Sequence, residues 1–554
     1  MLSNNEIVSL FRIYAELLLL HGANERLSRL LSGAAYRIRK IPDEIMNLKP
    51  GELVKYFQSP IVTLINTLRN NGTIESLDEL IQLTPAGIFE MMRIRGLGGK
   101  KLSVLWKRAG IDTVDALLEA CKKDKLKAIP GFGAKTQANI IAAIEAYRTN
   151  QQRFHYASVA DTAATLVKHL QRLFKADLFS LCGDVRREAT TVSGIDIVST
   201  LEPKKLREKM IRKFLSIHST DGGQSKGNTL DEIPVNIFHT SRNKFNYELF
   251  LRTGNDNHVK KVQSNLNNKT VYATENDIYK NAGLSFIPPS MREDVAEWNY
   301  AKKPFTLLSL ENIKGIVHNH TDWSDGVDGL EDFVTACKSR GFEYVVISDH
   351  SKNAHYAGGL NEEKAIAQMA AIDELNKKLA PFRIFKSIEC DILVSGGLDY
   401  DNRFLRNFDL VIISVHQLLK MDIKKATARL IKAIENPYTT ILGHMSGRQL
   451  LIRPGYPLDF KKVIDACAAN KVVIEINANP YRLDMDWTHI PYCIKKRVMI
   501  SINPDAHSVA EIDNIRWGVS AARKGGLTPE MTWNTMPVTK IQQWLNSRKR
   551  KRGL

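Results

Sequence analysis

The sequence predicts a multidomain chain with an all-α N-terminal region, an α+β middle and a C-terminal β/α barrel. From Asn4 to about Tyr147, apolar residues recur at three-to-four spacing, the period of a helix. From about Phe154 to Trp298, helical and strand patterns mix. After residue 310, apolar β-branched runs alternate with helical segments such as LEDFVTACKSRG, EEKAIAQMAAIDELNKK and LDFKKVIDACAAN, which implies parallel strands and most simply a distorted, TIM-like barrel. At 554 residues the chain has room for several cores, here divided as 1–150, 151–305 and 306–554.

Composition narrows the function classes. Hydrophobic residues at 44% and charged residues at 25% are ordinary for a soluble chain, but a net charge of +18 is not. Such an excess favours a polyanionic partner through counterion release, and nucleic acid is the commonest. No apolar stretch is long enough to span a bilayer, so neither a signal peptide, an anchor nor a membrane partner is expected. Six scattered cysteines without a CxxC pair fit a reducing cytoplasm and are not ligand candidates.

Two glycine punctuations interrupt the helical region, IRGLGGKK and IPGFGAKT, each between helices. Glycine lets the backbone turn tightly and leaves amides at a helix N-terminus, where phosphate binds with a nearby lysine. Gly96, Gly98, Lys100, Lys101 and Gly131, Gly133, Lys135 are therefore the candidate DNA contacts. They resemble helix-hairpin-helix motifs, which grip the phosphate backbone without reading bases.

In the middle region, a polar, glycine-containing stretch from Ser219 to Asp231 reads as a mobile loop. FSLCGDVRREATTVSGIDIVST, PVNIF, RTGNDNH and DIYKNAGLSFIPPSMRE resemble the nucleotidyltransferase palm and thumb of family X DNA polymerases. The departures are chemical. Nucleotidyl transfer needs divalent ions clamped by about three carboxylates. The positions that match are Gly194, Asp196 and Asn236, so one carboxylate remains, Asp196. Glu232 is about 13 Å from Asn236 at strand rise, too far to substitute. Asp184 stands where a serine would meet the triphosphate, and Arg252 and Asn255 replace the usual Phe and Ser of the thumb. Polymerase activity is expected to be lost, while Arg186 and Arg187 remain candidate phosphate contacts. GELVKYFQSPIVTLINTL has likewise lost the glycines of the family's first hairpin, which removes its DNA contact and lyase chemistry from expectation.

The C-terminal region carries the main chemistry. In VHNHTDWSDG, His318 and His320 lie at i and i+2 on a presumed strand and so face one side, with Asp325 in the loop after them. EYVVISDH ends on His350, FRIFKSIEC carries Glu389, LVIISVH ends on His416, TTILGH on His444, and VMISINPDAH closes with Asp505 and His507. One strand-end histidine is unremarkable, but the repetition implies a multi-metal centre at one mouth of the barrel. Neutral imidazoles with carboxylates suit Mn, Zn or Fe. His355 and His489 stand outside the pattern.

HNHTDWSDG, ISDHS, IECDIL, SVH, GHMSGR, IEINA and PDAH resemble the motif series of the polymerase-and-histidinol-phosphatase (PHP) phosphoesterases over about residues 311–545. The resemblance implies three divalent metals held by His318, His320, Asp325, His350, Glu389, His416, His444, Asp505 and His507, with Glu389 bridging two of them; Glu389, Asp325 and His350 are the candidate catalytic residues. The order of parts resembles the bacterial family X polymerases fused to a PHP domain. That implies a monomeric enzyme performing metal-dependent 3′→5′ exonuclease or 3′-end processing of gapped, nicked or 3′-ended DNA. An active gap-filling polymerase, a small-molecule phosphatase of the histidinol-phosphatase type and a non-catalytic DNA-binding scaffold are the alternatives. Arg448 and Arg482 are further candidate phosphate contacts, and the basic tail from Arg548 to Arg552 reads as a solvated end that adds nonspecific DNA affinity.

Overall fold

Helical periodicity decides the first of two units, Met1–Gln151 and Gln152–Leu554, into which the chain divides. The computed structural model describes residues 4–38, 41, 43–94, 96–151, 153–207, 215–229, 231–267 and 271–554. In the first unit, α1 (Asn4–His21) buries Ile7, Phe11, Leu17 and Leu20, and α2 (Glu25–Ile38) buries Leu31, Ala34, Ala35 and Ile38. In α2 those positions fall on one face, with the other left to water, whereas the C-terminal half of α1 is buried on more than one side. Gly96 and Gly131 take φ of 84° and 89°, the left-handed region that glycine enters at little cost. Gly98 and Gly133 then serve as N-caps of α3 (Gly99–Ala109) and α4 (Ala134–Asn150).

The second unit begins with a five-stranded sheet in the order β1-β2-β5-β4-β3: β1 (Phe179–Cys182), β2 (Ile195–Ser199), β3 (Leu215–Asp221), β4 (Gln224–Thr229) and β5 (Pro234–His239). The stretch expected to be a mobile loop is instead the β3–β4 hairpin and the turn after it, save Leu230, which lies outside the described residues. Gly222 and Gly223, at φ of 55° and 80°, form the two-residue turn, whose positive φ values match the twist of paired strands. β2 and β5 run parallel with Asp196 directly beside Asn236.

The rest of the unit is strand, loop and helix in alternation, as expected, but its strands do not form one closed ladder. They make two parallel sheets. One has the order β8-β7-β6, from β6 (Gly315–Ile316), β7 (Tyr344–Ile347) and β8 (Arg383–Lys386). The other runs in sequence order through β9 (Glu389–Asp391), β10 (Val411–Ser414), β11 (Thr439–Leu442), β12 (Val473–Asn477) and β13 (Ile500–Asn503). Between the two sheets lie isolated bridges, His350↔Glu389 and Asn319↔Ala506, and single backbone hydrogen bonds rather than a continuous ladder. Those bridges fall at ligand residues or beside them, so the ladder breaks where side chains are re-aimed toward the site. β7, β10, β11, β12 and β13 are buried at every residue, as parallel strands covered on both faces must be.

The basic tail is not a solvated end. It continues the final helix α5 (Val538–Lys551), whose Ile541 and Leu545 are buried. Arg548 is 7% exposed and donates to the carbonyls of Lys471, Pro437 and Thr439. Lys549 reaches the Phe408 carbonyl, and Arg552 those of Asn436 and Asn470. The charges satisfy carbonyls at strand and helix ends, which a run of basic residues read by composition alone does not disclose. Arg548→Ala should destabilise this unit by about 2–4 kcal/mol by stranding these acceptors; chemical denaturation followed by tryptophan fluorescence measures it.

Candidate metal centre

Most strands of the two sheets carry or lead into a side chain that turns toward one point. His350, His416 and His444 follow β7, β10 and β11 by two or three residues, Glu389 opens β9, and Asp505 and His507 follow β13. His318 and His320 differ from expectation. β6 stops at Ile316, and His318 takes a left-handed φ of 64°, so the pair is not two successive inward positions of a strand. The Asn319↔Ala506 bridge and the bond from Asn319 Nδ2 to the Val346 carbonyl fix this turn, and both rings still face inward, 5.4 Å apart.

Glu389 is the hub. Its Oε1 lies 3.2 Å from His318 Nε2, 3.2 Å from His416 Nε2 and 3.0 Å from His444 Nε2. Its Oε2 lies 3.0 Å from His350 Nδ1 and 3.6 Å from His320 Nε2. Asp505 Oδ1 is 3.2 Å from His320 Nε2, and Asp325 Oδ1 is 3.4 Å from His507 Nε2. The nine expected residues thus come together in four overlapping groups whose ligand atoms lie within 4.8 Å of one another.

These contacts are close without being hydrogen bonds. Both oxygens of Glu389, His318 Nε2, both nitrogens of His320, His350 Nδ1 and His444 Nδ1 are buried and lack a hydrogen-bond partner. A buried polar atom without a partner costs about 1–3 kcal/mol, so this many in one place calls for cations that the imidazole and carboxylate donors would coordinate. The donor set fits Mn, Zn or Fe.

Sequence reasoning missed the groups that aim these ligands. Glu475 Oε2 accepts from His318 Nδ1 at 2.5 Å, and Asp391 Oδ1 from His416 Nδ1 at 2.5 Å, leaving each Nε2 for the centre. Glu475 also takes the backbone N–H of His444 and the amide of Asn503, while Asn477 binds Asp505. The signal was a charged residue inside the wholly buried β12, where a carboxylate requires a partner. Although burial opposes its charge, Glu389 and Asp391 push His416 up to about 10; burial and the neighbouring His507 and His350 push His320 down to about 3. His355 is exposed and His489 stacks on Phe460, both outside the centre.

The arginines divide. Arg482 is 22% exposed and points its Nε toward Asp505 Oδ2 at 3.9 Å, beside the metal ligands. Arg448, expected to meet phosphate, is instead bound to Asp486 and to the carbonyls of Arg482 and Leu483, so its donors are taken. Arg186 and Arg187 are likewise committed, the first to Glu275 and Thr253, the second to Asp184, Glu293 and the Thr253 carbonyl. They hold the palm to the segment behind it rather than facing a phosphate.

Around Asp196 an open cavity of about 660 Å³ persists, lined also by Arg187, Arg252 and Asn255. Asn236 Nδ2 donates to Asp196 Oδ1 at 2.8 Å, and burial pushes the Asp196 carboxyl above its ordinary range. A Cβ at Gly194 would come within 2.5 Å of the Pro234 carbonyl, so this backbone has no room for a carboxylate there. Glu232 lies in the turn before β5 and accepts from Asn228, not on the strand face.

The two glycine hairpins also differ. At the first, Glu16 Oε2 accepts from the Gly99 N–H at 2.5 Å and Lys100 pairs with Glu25 at 2.9 Å, so a carboxylate already occupies that helix N-terminus. Lys101 turns back to the Gly96 carbonyl. At the second, Gly131, Gly133 and Lys135 are exposed.

Glu475→Gln should weaken metal binding roughly 10–100-fold while the protein stays folded, because His318 loses the anion that orients it. Competition with a metal chelator, read by elemental analysis, tests this.

Comparison with known proteins covers every part. Residues 88–146 match the model of the SAM-like helix-hairpin-helix tandem. The DNA polymerase/3′-5′ exonuclease PolX of Bacillus subtilis is 30% identical over 87% of this chain and 89% of its own length. Probable phosphatases of Thermoanaerobacter sp. and Acetivibrio thermocellus are 28% and 25% identical, over 39% and 42% of this chain and 86% and 95% of their own. Helical hairpins, a palm-like sheet and a histidine-rich phosphoesterase centre in this order place the chain in the family of bacterial PolX proteins, family X DNA polymerases that carry a PHP domain.

Proposed function

We propose that this chain hydrolyses phosphodiesters at the 3′ ends of DNA in the PHP region, and that nucleotidyl transfer in its palm has been lost. The gathering of nine candidate ligands in overlapping groups, with five imidazoles around the Glu389 carboxylate, carries the first part. Three divalent cations would be held by His318, His320, Asp325, His350, Glu389, His416, His444, Asp505 and His507. When bound, they supply charge against the non-bridging phosphate oxygens and acidify an attacking water. Arg482, beside Asp505 and partly exposed, binds the substrate phosphate. Glu475 and Asp391 keep His318 and His416 in the tautomer that presents Nε2. His350 and Asp325, 3.6 Å apart, are among these ligands and fix where the cations would meet the scissile ester.

The second glycine hairpin, with its exposed amides and Lys135, grips the DNA backbone, while the first is tied into its own unit by Glu16. The family's name for its Bacillus subtilis member, exonuclease as well as polymerase, supports action on a DNA 3′ end. The phosphatase relatives favour a second reading, in which the same centre removes terminal phosphate monoesters. Both use one site, and a 3′-phosphorylated strand separates them by whether inorganic phosphate or nucleotides appear first.

Purified full-length protein with Mn²⁺ and 3′-labelled DNA should release nucleotides. His318→Ala combined with His320→Ala should lower the rate by at least about 100-fold, since each removes a metal ligand. Release that persists unchanged in that variant would remove the reading. Supplied with a primed template, Mg²⁺ or Mn²⁺ and deoxynucleotides, the protein should give no extension. Asp196→Asn should leave nuclease turnover as it was, and templated extension that Asp196→Asn abolishes would show the palm to be active.

A further inference from the structure

The end of the β/α region opposite the metal centre holds a second concave site. A cavity of about 300 Å³ opens between the residues that lead into β12 and β13 and one face of α5. That volume lies at the lower end of cavities that take small ligands, ~300–1,000 Å³. Its floor is apolar, from Val473, Val498 and Met499, and Trp544 forms a wall. Its rim is cationic: Lys471, Arg497 and Lys551 are exposed there, and no carboxylate lines it. None of the three is in an ion pair among the described residues.

Two features single these cations out. Lys471 and Arg497 follow the helices Phe460–Asn470 and Ile490–Lys496, and both take left-handed φ, 51° and 56°. Glycine is the usual occupant of such a position because a Cβ is strained there. The helix C-terminus favours a positive charge in return, but that would be met equally from the last helical turn, without the strain. Two long basic side chains are thus held in unfavourable backbone at the same rim. Behind them, Arg548 is more than nine-tenths buried with no acidic partner among the described residues. Burial, with Arg552 beside it, pulls that guanidinium down to about 9, so the site already lacks negative charge.

We propose that this cavity binds a nucleotide, its base on the apolar floor against Trp544 and its phosphate among Lys471, Arg497 and Lys551. A base supplies the flat apolar body, and a phosphate supplies the anion that the rim and Arg548 lack. The nucleotide can be free or the last residue of a strand. The site is separate from the metal centre and uses none of its ligands.

The test is quenching of tryptophan fluorescence in the full chain by dAMP, by inorganic phosphate and by a nuclease-resistant 5′-phosphorylated oligonucleotide. Lys471→Gly with Arg497→Gly removes both cations at positions whose backbone suits glycine, so its Tm should be unchanged or higher. Wild type should be quenched by dAMP in a manner lost in Trp544→Phe, and the double glycine variant should bind at least tenfold more weakly. Competition by the oligonucleotide would assign the site to strand ends, and its absence to free nucleotide; either supports the site. No Trp544-dependent quenching, equal affinity in the glycine variant, or inorganic phosphate competing as well as dAMP would overturn the proposal.

Discussion

One buried carboxylate organises the C-terminal half of this protein. Glu389 sits among five imidazoles, within 3.0 to 3.6 Å of each, and makes no hydrogen bond of its own. An isolated carboxylate could not remain ionised in such a place, and imidazoles that direct lone pairs at one another repel. The arrangement holds because a second layer forces it: Glu475 and Asp391 fix the rings of His318 and His416, and Asn477 and Asn503 donate to Glu475 in the buried strand ends. Backbone follows the same demand. The left-handed turn at His318 and the gap in the ladder beside Glu389 both lie where an unbroken strand would aim a side chain elsewhere.

The palm shows the opposite condition. Asp196 has the neighbour that a metal site would also give it, on the adjacent parallel strand, but the neighbour is Asn236 and it donates a hydrogen bond. The pair is satisfied within the protein, and Gly194 lies so close to the Pro234 carbonyl that no side chain fits at that position. The arginines beside it are spent on Glu275, Asp184 and Glu293. A group of side chains that completes its own bonding has little to gain from a cation, whereas one that cannot complete it depends on one.

Much of this was legible in the residues. The nine candidate ligands that the structure gathers were readable because most of them follow an apolar run, a pattern that survives any error in where the strand stops; the break in the ladder was not, since it depends on side chains rather than on periodicity. The roles of Arg448, Arg186 and Arg187 were misread because sequence proximity to a motif says nothing of which acid lies across the fold. Asp486, 38 residues from Arg448, and Glu293, 106 residues from Arg187, are long-range partners. The same holds for Glu16, which fills the first glycine hairpin from 83 residues away. The Ser219–Asp231 stretch did carry its answer in Gly222-Gly223, a two-residue hairpin signal that its polar surroundings obscured.

Positive charge follows the same logic as the ligands, in that its meaning lies in what already neutralises it. The tail from Arg548 to Arg552 looked like a solvated cationic end, yet its arginines cap carbonyls of the β/α region and one of them is buried. Hydrogen bonds to carbonyls satisfy donors without cancelling charge, so Arg548 and Arg552 keep theirs, while Asp409 lies near Lys549. Lys100, by contrast, is answered by the Glu25 carboxylate. A net charge of +18 therefore does not spread evenly into affinity for polyanions. Among the described residues, Lys135 at the second glycine hairpin and Lys471 and Arg497 at the rim are exposed and in no ion pair, and these are the two places proposed to meet phosphate.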